Sequence, residues 1–181
     1  MRVKGGRLLL AGGRPRGTIY AVYRFLQEQC GVRWWAPSAT TIPQRSSLRV
    51  PELDVRSKPA FEYREPFWFA GFDPQWKAHN VANGENHPIP EALGGCLKYK
   101  GFAHTFYPLV PPDKYFGPHP EWYSLIKGKR THENAQLCTS NPELRDFVVQ
   151  RVKEWLRESP EAKIISVTQN DCGGACECPQ C

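Results

Sequence analysis

The sequence lacks long hydrophobic runs. Its apolar stretches extend over only a few residues, whereas a helix that crosses a membrane needs about 20. Residues 1–6 are basic, but the apolar run at residues 8–11 is too short for the core of a signal peptide. We therefore predict no membrane partner, and the sequence contains no export signal that would indicate a cellular location.

Acidic residues are almost missing from residues 1–50. Nine Lys and Arg residues stand against the single acid Glu28, so this part has a net charge of +8, compared with +6 for the whole chain. A basic end could bind nucleic acid, but neither a run of adjacent basic residues nor a nucleic-acid-binding motif accompanies the charge. We therefore expect a solvated surface that faces an acidic neighbour, and no nucleic-acid partner.

Nucleotide-binding motifs are also missing. The sequence contains no G-x-G-x-x-G, and the glycine-rich segment 12–17 has P-loop spacing but places Thr18 where the motif requires lysine. We interpret these glycines as a tight turn between a strand at residues 7–11 and a helix at residues 18–29.

The seven cysteines lack the two C-x-x-C knuckles of a zinc ribbon. Four lie within the last ten residues: Cys172, Cys176, Cys178 and Cys181. This spacing is compatible with a tetrathiolate zinc site, with paired disulfides, or with reduced thiols in a structural loop. The other three we interpret as ordinary buried residues: Cys30, Cys96 and Cys138. Apart from zinc, no cofactor is indicated.

The residues that are present are typical of a packed α/β protein. Hydrophobic residues make up 40% of the chain and aromatic residues 12%. Asp73 as N-cap and Pro74 at the first helical position predict a short helix within residues 72–80. Asn141 as N-cap and Pro142 at the first helical position, followed by apolar residues at helical spacing, predict a long helix. Short strands at residues 136–139 and from Ile164 flank it, which makes a βαβ unit and predicts a parallel sheet. Further strands are predicted at residues 60–65 and 101–106.

Polar residues lie at the carboxyl ends of the predicted strands or shortly after them, where α/β proteins bind ligands. These residues are Arg64, Glu65, His104, Asn170 and Asp171. Aromatic side chains such as Tyr107 and Trp122 could stack on sugar rings, although aromatic residues more often fill a core. The pattern favours a binding site for an oligosaccharide or polysaccharide.

Asp171 is the candidate catalytic residue. Glycoside hydrolysis usually needs two carboxylates, one that protonates the leaving oxygen and one that acts as base or nucleophile. Glu65, Glu121 and Glu177 are possible partners. The alternative interpretation of Asp171 is a residue that caps or forms a turn.

Four motifs resemble the bacterial family called domain of unknown function 4838. They lie at residues 15–23, 31–37, 101–107 and 169–171. The family is similar to α-glucuronidases and β-hexosaminidases, in which a small α/β domain precedes a (β/α)8 barrel. The resemblance implies that residues 1–50 are the end of the accessory domain and residues 51–59 a linker. Residues 60–181 would be the first part of a truncated barrel.

The resemblance also implies roles for particular residues. Arg64 matches a barrel-strand arginine that holds sugar hydroxyls, and Asp171 matches an aspartate that orients an acetamido group. The catalytic glutamate that should follow is replaced by Cys172. The resemblance thus implies a glycosidase that is active only when the remainder of its barrel is present. The alternatives are a non-catalytic sugar-binding module and an interaction domain that is stabilised by a metal ion bound to the cysteines.

Overall fold

The structure, a computed structural model, describes the whole chain from Met1 to Cys181. It consists of two compact units, unit 1 over Met1–Leu97 and unit 2 over Lys98–Cys181. Both units combine short strands with helices, and the strands form no closed barrel. None of the helices has the length and apolar character needed to span a bilayer. The (β/α)8 barrel and the linker at residues 51–59 stay predictions.

Unit 1 contains five short strands and two helices. They are β1 (Arg2–Lys4), β2 (Arg7–Leu9), α1 (Gly17–Glu28), β3 (Arg33–Ala36), β4 (Ala39–Thr41), β5 (Leu53–Asp54) and α2 (Pro74–His79), with 3₁₀ turns at Phe69–Phe72 and Glu91–Leu93. The sheet order is β2-β1-β5, all antiparallel, and β3 pairs with β4 in a separate hairpin. Gly5 and Gly6 join β1 to β2 with φ of 54° and 72°, a left-handed pair that suits a tight hairpin turn.

Helices α1 and α2 are close to their predicted positions. Gly12 and Gly17 approach so closely before α1 that a Cβ on either would overlap the other's backbone, which confirms the tight turn. In α2 the Asp73 side chain accepts a hydrogen bond from the Trp76 N–H at 2.6 Å, as expected for an N-cap followed by proline. The small core of unit 1 lies between these helices and is formed by Tyr23, Ala78 and Ile89.

Unit 2 contains four short strands and three helices. They are β6 (Tyr99–Lys100), α3 (Phe106–Leu109), α4 (Pro112–Tyr115), β7 (Leu125–Ile126), β8 (Lys129–Arg130), α5 (Pro142–Glu158) and β9 (Ile164–Ile165), with a 3₁₀ turn at Pro120–Trp122. Strands β6 and β9 pair in parallel, and β7 and β8 form a hairpin. The core of the unit is formed by Leu109, Val110, Trp122, Tyr123, Leu137, Leu144 and Trp155.

Helix α5 begins as the sequence predicts. The Asn141 side chain accepts a hydrogen bond from the Leu144 N–H at 3.0 Å, and Pro142 occupies the first turn. Leu144 and Trp155 are buried on the face that packs into the core. Because a 17-residue helix supplies much of this core, its first turn matters for the stability of the unit.

We expect Asn141→Ala to destabilise unit 2 by about 1 kcal/mol, because the Leu144 N–H loses its acceptor at the helix N-terminus. Urea denaturation followed by circular dichroism measures this loss. Asn141→Asp is the matched control, since aspartate caps equally well and should leave the midpoint nearly unchanged. Equal destabilisation by both variants would contradict the capping role.

Three predicted strands are not formed. Residues 60–65 are irregular, because the Arg64 side chain binds the carbonyl oxygens of Phe61 and Glu62 that a sheet partner would otherwise use. In residues 101–106, Gly101 and His104 have φ of 65° and 55°, and such left-handed residues interrupt an extended chain.

At residues 136–139 a single bridge between Tyr123 and Leu137 replaces the predicted strand. The parallel pairing predicted for the last strand is present, but its partner is β6 and not the segment before α5. Helix α5 therefore lies within a longer crossover connection from β6 to β9.

Candidate functional site

The segments that follow the parallel strands β6 and β9 bring His104 and Asp171 together. His104 Nε2 lies 4.0 Å from Asp171 Oδ2, and its Nδ1 lies 3.2 Å from the Gln169 carbonyl oxygen. Both side chains face solvent, with 54% of His104 and 89% of Asp171 exposed. An exposed imidazole beside a carboxylate can bind hydroxyl groups and can transfer a proton.

Thr105 holds the chain segment after β9 in place. Its backbone N–H donates to the Thr168 carbonyl at 3.1 Å, and its hydroxyl donates to the Ser166 carbonyl at 3.1 Å. The Thr168 N–H in turn donates to the Thr105 hydroxyl at 2.8 Å. Since Thr105 is buried and directly follows His104, these bonds fix the imidazole relative to the segment that carries Asp171.

Gln136 fixes the other side of the same segment. Its side-chain amide donates to the carbonyl oxygens of Asn170, Cys172 and Gly173 and accepts from the Asn170 N–H at 2.8 Å. Only 7% of Gln136 is exposed. We did not identify Gln136 or Thr105 from the sequence. The signal for Gln136 is a single amide between the apolar residues Ala135 and Leu137.

The candidate binding residue Asn170 forms hydrogen bonds within the protein through both polar atoms of its side chain. Its Nδ2 donates to the Ala135 carbonyl at 2.9 Å, and its Oδ1 accepts from the Tyr107 N–H at 3.3 Å. The Tyr107 hydroxyl donates to the carbonyl oxygens of His132 and Ala135. Burial, together with the nearby Cys172, raises the pKa of Tyr107 to about 12, so this phenol is not placed to exchange protons near neutral pH.

Trp122 lies in the core of unit 2 and not on its surface. Only 3% of the residue is exposed, and its ring stacks on His119 at a centroid distance of 4.0 Å and packs against Phe147. A ring enclosed in this way offers no free face to a sugar. Trp122 is therefore a core residue and not a platform for a sugar ring.

Arg64 belongs to unit 1, where its guanidinium is largely used by the protein itself. Nε donates to the Val81 carbonyl at 2.7 Å and Nη2 to the Tyr20 hydroxyl at 3.1 Å. The residue also lines an open cleft of about 1080 Å³ in unit 1. Six basic residues border this cleft, against the single acid Glu62: Arg14, Arg16, Arg24, Arg56, Lys58 and Arg64.

Glu65, also in unit 1, forms a buried ion pair. Its Oε1 lies 3.6 Å from Lys77 Nζ, with 0% of the lysine side chain and 3% of the glutamate side chain exposed. Lys77 also donates to the carbonyl oxygens of Gly84 and Asn86, and the Asn86 N–H donates to Glu65 Oε2 at 3.1 Å. The geometry gives Glu65 a structural role in unit 1.

The other two carboxylates considered as partners of Asp171 lie in unit 2 and have contacts of their own. Glu121 Oε1 lies 3.3 Å from His119 Nδ1. Glu177 Oε2 accepts from the Lys127 N–H at 2.7 Å.

The second candidate site of unit 2 is a cysteine cluster. The sulfur atoms of Cys138, Cys176, Cys178 and Cys181 all lie within 4.8 Å of one another. Cys172, which the sequence pattern grouped with the last three, lies elsewhere: its sulfur lies 3.5 Å from Gln136 Nε2 and 3.5 Å from the Ala135 carbonyl. The predicted set of four is thus wrong at one position, where Cys138 takes the place of Cys172.

Cys138, for which the sequence predicts an ordinary buried residue, belongs to the cluster although it lies 38 residues before the nearest other member, Cys176. The fold brings it to the other three because the Cys138 N–H donates to the Trp122 carbonyl while the Glu177 N–H donates to the Leu125 carbonyl. Both segments thereby lie against the same part of the chain at residues 122–125.

The environment changes the acidity of these thiols. Hydrogen bonds from Ser140 and from the Cys181 N–H lower the pKa of Cys178 to about 6. Burial raises the pKa of Cys176 to about 11. Burial also opposes ionisation of Cys138, but hydrogen bonds from Ser140 and Arg130 outweigh it and lower the pKa of that thiol. In this cluster the surroundings of Cys138 and Cys178 favour the thiolate form, whereas those of Cys176 favour the protonated thiol.

A family model described as "Domain of unknown function (DUF4838)" matches residues 34–181, which is well over half of the chain. The chain belongs to this family. The match includes the candidate residues of both units and all members of the cysteine cluster, whereas the motif at residues 15–23 lies outside it. Searches of curated proteins and of solved structures give no match.

Proposed function

We propose that this chain is part of a carbohydrate-active protein that resembles glycoside hydrolases and that cleaves glycosidic bonds when its barrel is complete. The observation that carries the proposal is the His104–Asp171 pair, exposed in the segments that follow the carboxyl ends of the parallel strands β6 and β9. Parallel α/β folds use this position for ligand binding. The resemblance of the family to α-glucuronidases and β-hexosaminidases supports the same assignment.

In this proposal Asp171 orients or activates the substrate and His104 positions the carboxylate. With 89% of its side chain exposed, Asp171 is accessible to a sugar, while Thr105 and Gln136 hold the backbone on either side of it. Cys172 stands where hexosaminidases have their acid, so the proton donor would come from another part of the complete barrel. The reaction would then use two carboxylates, one of which is Asp171.

We expect Asp171→Asn to lower the rate of glycoside hydrolysis by at least about 100-fold, because a positioned acid–base group contributes about 10²–10⁴-fold. The assay uses the full-length protein with aryl glycosides of glucuronic acid and N-acetylglucosamine. Asp146→Asn is the matched control, since Asp146 is also an exposed aspartate but lies on α5. A full rate for Asp171→Asn on the best substrate would refute the catalytic role.

A second candidate function is sugar binding without turnover, and unit 1 supplies the observation that favours it. Its cleft has a basic border, and the neighbouring stretch of unit 1 exposes Phe61, Trp68 and Phe69, by 74%, 50% and 92%. Exposed aromatic faces and cationic groups together suit an anionic glycan. Oligogalacturonide binding by calorimetry without any hydrolysis by the full-length protein would select this function over the first.

A further inference from the structure

We propose that Cys138, Cys176, Cys178 and Cys181 form a structural zinc site that fastens the segment after Asp171 to the start of α5. The site is independent of the proposed glycosidase function. It combines one cysteine that precedes the helix with three from residues 176–181. A second C-x-x-C knuckle is not needed, because the fold places Cys138 beside the other three cysteines.

The sulfur–sulfur distances suit a tetrahedral metal site. Cys138 Sγ lies 3.6 Å from Cys178 Sγ and 3.8 Å from Cys181 Sγ. Four thiolates at about 2.3 Å from a zinc ion stand about 3.8 Å apart along each edge of the tetrahedron. A disulfide would require about 2.0 Å and could join Cys138 to only one of these two neighbours.

The surroundings of the sulfurs are those of thiolates. A Zn²⁺ ion with four thiolates has a net charge of −2, which needs nearby hydrogen-bond donors. The Leu125 N–H donates to Cys176 Sγ at 3.3 Å, and Arg130 Nη1 lies 3.8 Å from the same sulfur. Together these groups provide one neutral and one cationic donor on the side of Cys176.

The C-x-x-C segment and Ser140 complete the surroundings of the sulfurs. The Cys181 N–H donates to the Cys178 carbonyl at 3.0 Å, so the segment turns back on itself and brings its two sulfurs to the same side. Ser140 Oγ lies 3.3 Å, 3.4 Å and 3.0 Å from the sulfurs of Cys138, Cys178 and Cys181. The hydroxyl therefore covers the face of the tetrahedron opposite Cys176.

The position of the site gives it a structural purpose. The segment 172–181 contains little regular secondary structure, and its backbone is attached to the rest of unit 2 by a few hydrogen bonds, such as Gln136 N–H to the Gly174 carbonyl at 3.0 Å. A metal that joins Cys138 to three residues of this segment would hold it far more firmly. Because the segment starts directly after Asp171, the zinc would also order the part of the chain that carries this carboxylate.

The test measures metal in the 181-residue chain, purified without chelators and with thiols kept reduced. We expect about one equivalent of zinc per chain. Substitution by Co²⁺ should give the visible absorption bands of a tetrahedral ion and a thiolate-to-cobalt charge-transfer band in the near ultraviolet. Zinc below about a tenth of an equivalent after reconstitution would overturn the proposal, as would iron in place of zinc.

Two serine variants separate the proposed ligands from their neighbour. Cys181→Ser removes an exposed side chain that the core does not need, so the chain should fold while its zinc affinity falls by more than about 100-fold, because changes outside the ligand set already cost 10–100-fold. Cys172→Ser is the matched control and should retain zinc with unchanged affinity. Equal losses in both variants, or a disulfide within the cluster found by thiol alkylation and mass spectrometry, would overturn the proposal.

Discussion

Replacement of Lys77 by methionine is expected to destabilise unit 1 by about 3–5 kcal/mol, because it leaves a buried carboxylate without its cation. Glu65 Oε1 has no hydrogen-bond donor besides its ion pair with Lys77 at 3.6 Å. The variant also removes the donor of the Gly84 and Asn86 carbonyl oxygens. Methionine retains most of the lysine's volume, so the loss reports the charge and the hydrogen bonds and not an empty cavity.

Urea denaturation and hydrogen exchange in the amides of α2 measure this effect within unit 1. Lys58→Met is the matched control, because Lys58 is exposed and its loss should change the free energy of unfolding by less than about 0.5 kcal/mol. Adding Glu65→Gln to Lys77→Met should recover much of the stability, since the amide can still accept from the Asn86 N–H but has no charge to bury. A Lys77→Met protein as stable as the Lys58→Met control would show that the ion pair contributes nothing.

The features that were predicted correctly from the sequence are those determined by local interactions. Asp73 and Asn141 cap α2 and α5 because a short polar side chain followed by proline satisfies the first free N–H groups whatever the remaining fold does. The pairing of β9 with a parallel partner was also predicted correctly, because the intervening helix requires a crossover connection.

The features that were missed depend on contacts between distant segments. Residues 60–65 have the composition of a strand, but the side chain of Asn83 accepts from the Arg64 N–H and donates to the Glu62 carbonyl, so no sheet partner is required. Cys138 and Gln136 are separated from their partners by more than 30 residues. No local pattern indicates that one joins a cysteine cluster and the other holds the segment of Asp171.

Trp122 shows why composition alone overestimates a binding surface. The same aromatic residue types suit a sugar platform and a core, and only burial distinguishes the two uses. For His104 and Asp171 the burial differs from that of Trp122, since both side chains are exposed, and their functional role stays a prediction. The fold brings these two residues within 4.0 Å of each other although they are 67 positions apart in the sequence.

Gln136→Leu is expected to destabilise unit 2 by on the order of 3 kcal/mol, since each buried polar group left without a partner costs about 1–3 kcal/mol. The Asn170 N–H loses its acceptor, and the carbonyl oxygens of Cys172 and Gly173 lose a common donor. Leucine has nearly the same size as glutamine, so packing is retained while the hydrogen bonds are removed.

The same substitution should release the strand end at Asp171, because Gln136 is the buried side chain that holds residues 170–173 in position. Hydrogen exchange of the amides in this segment should become faster. Binding or hydrolysis of a glycan should also weaken, although Gln136 is buried and is not itself a candidate binding residue. Gln150→Leu on the exposed face of α5 is the matched control and should change neither property. Unchanged exchange at residues 170–173 in Gln136→Leu would mean that Thr105 alone determines the position of the carboxylate.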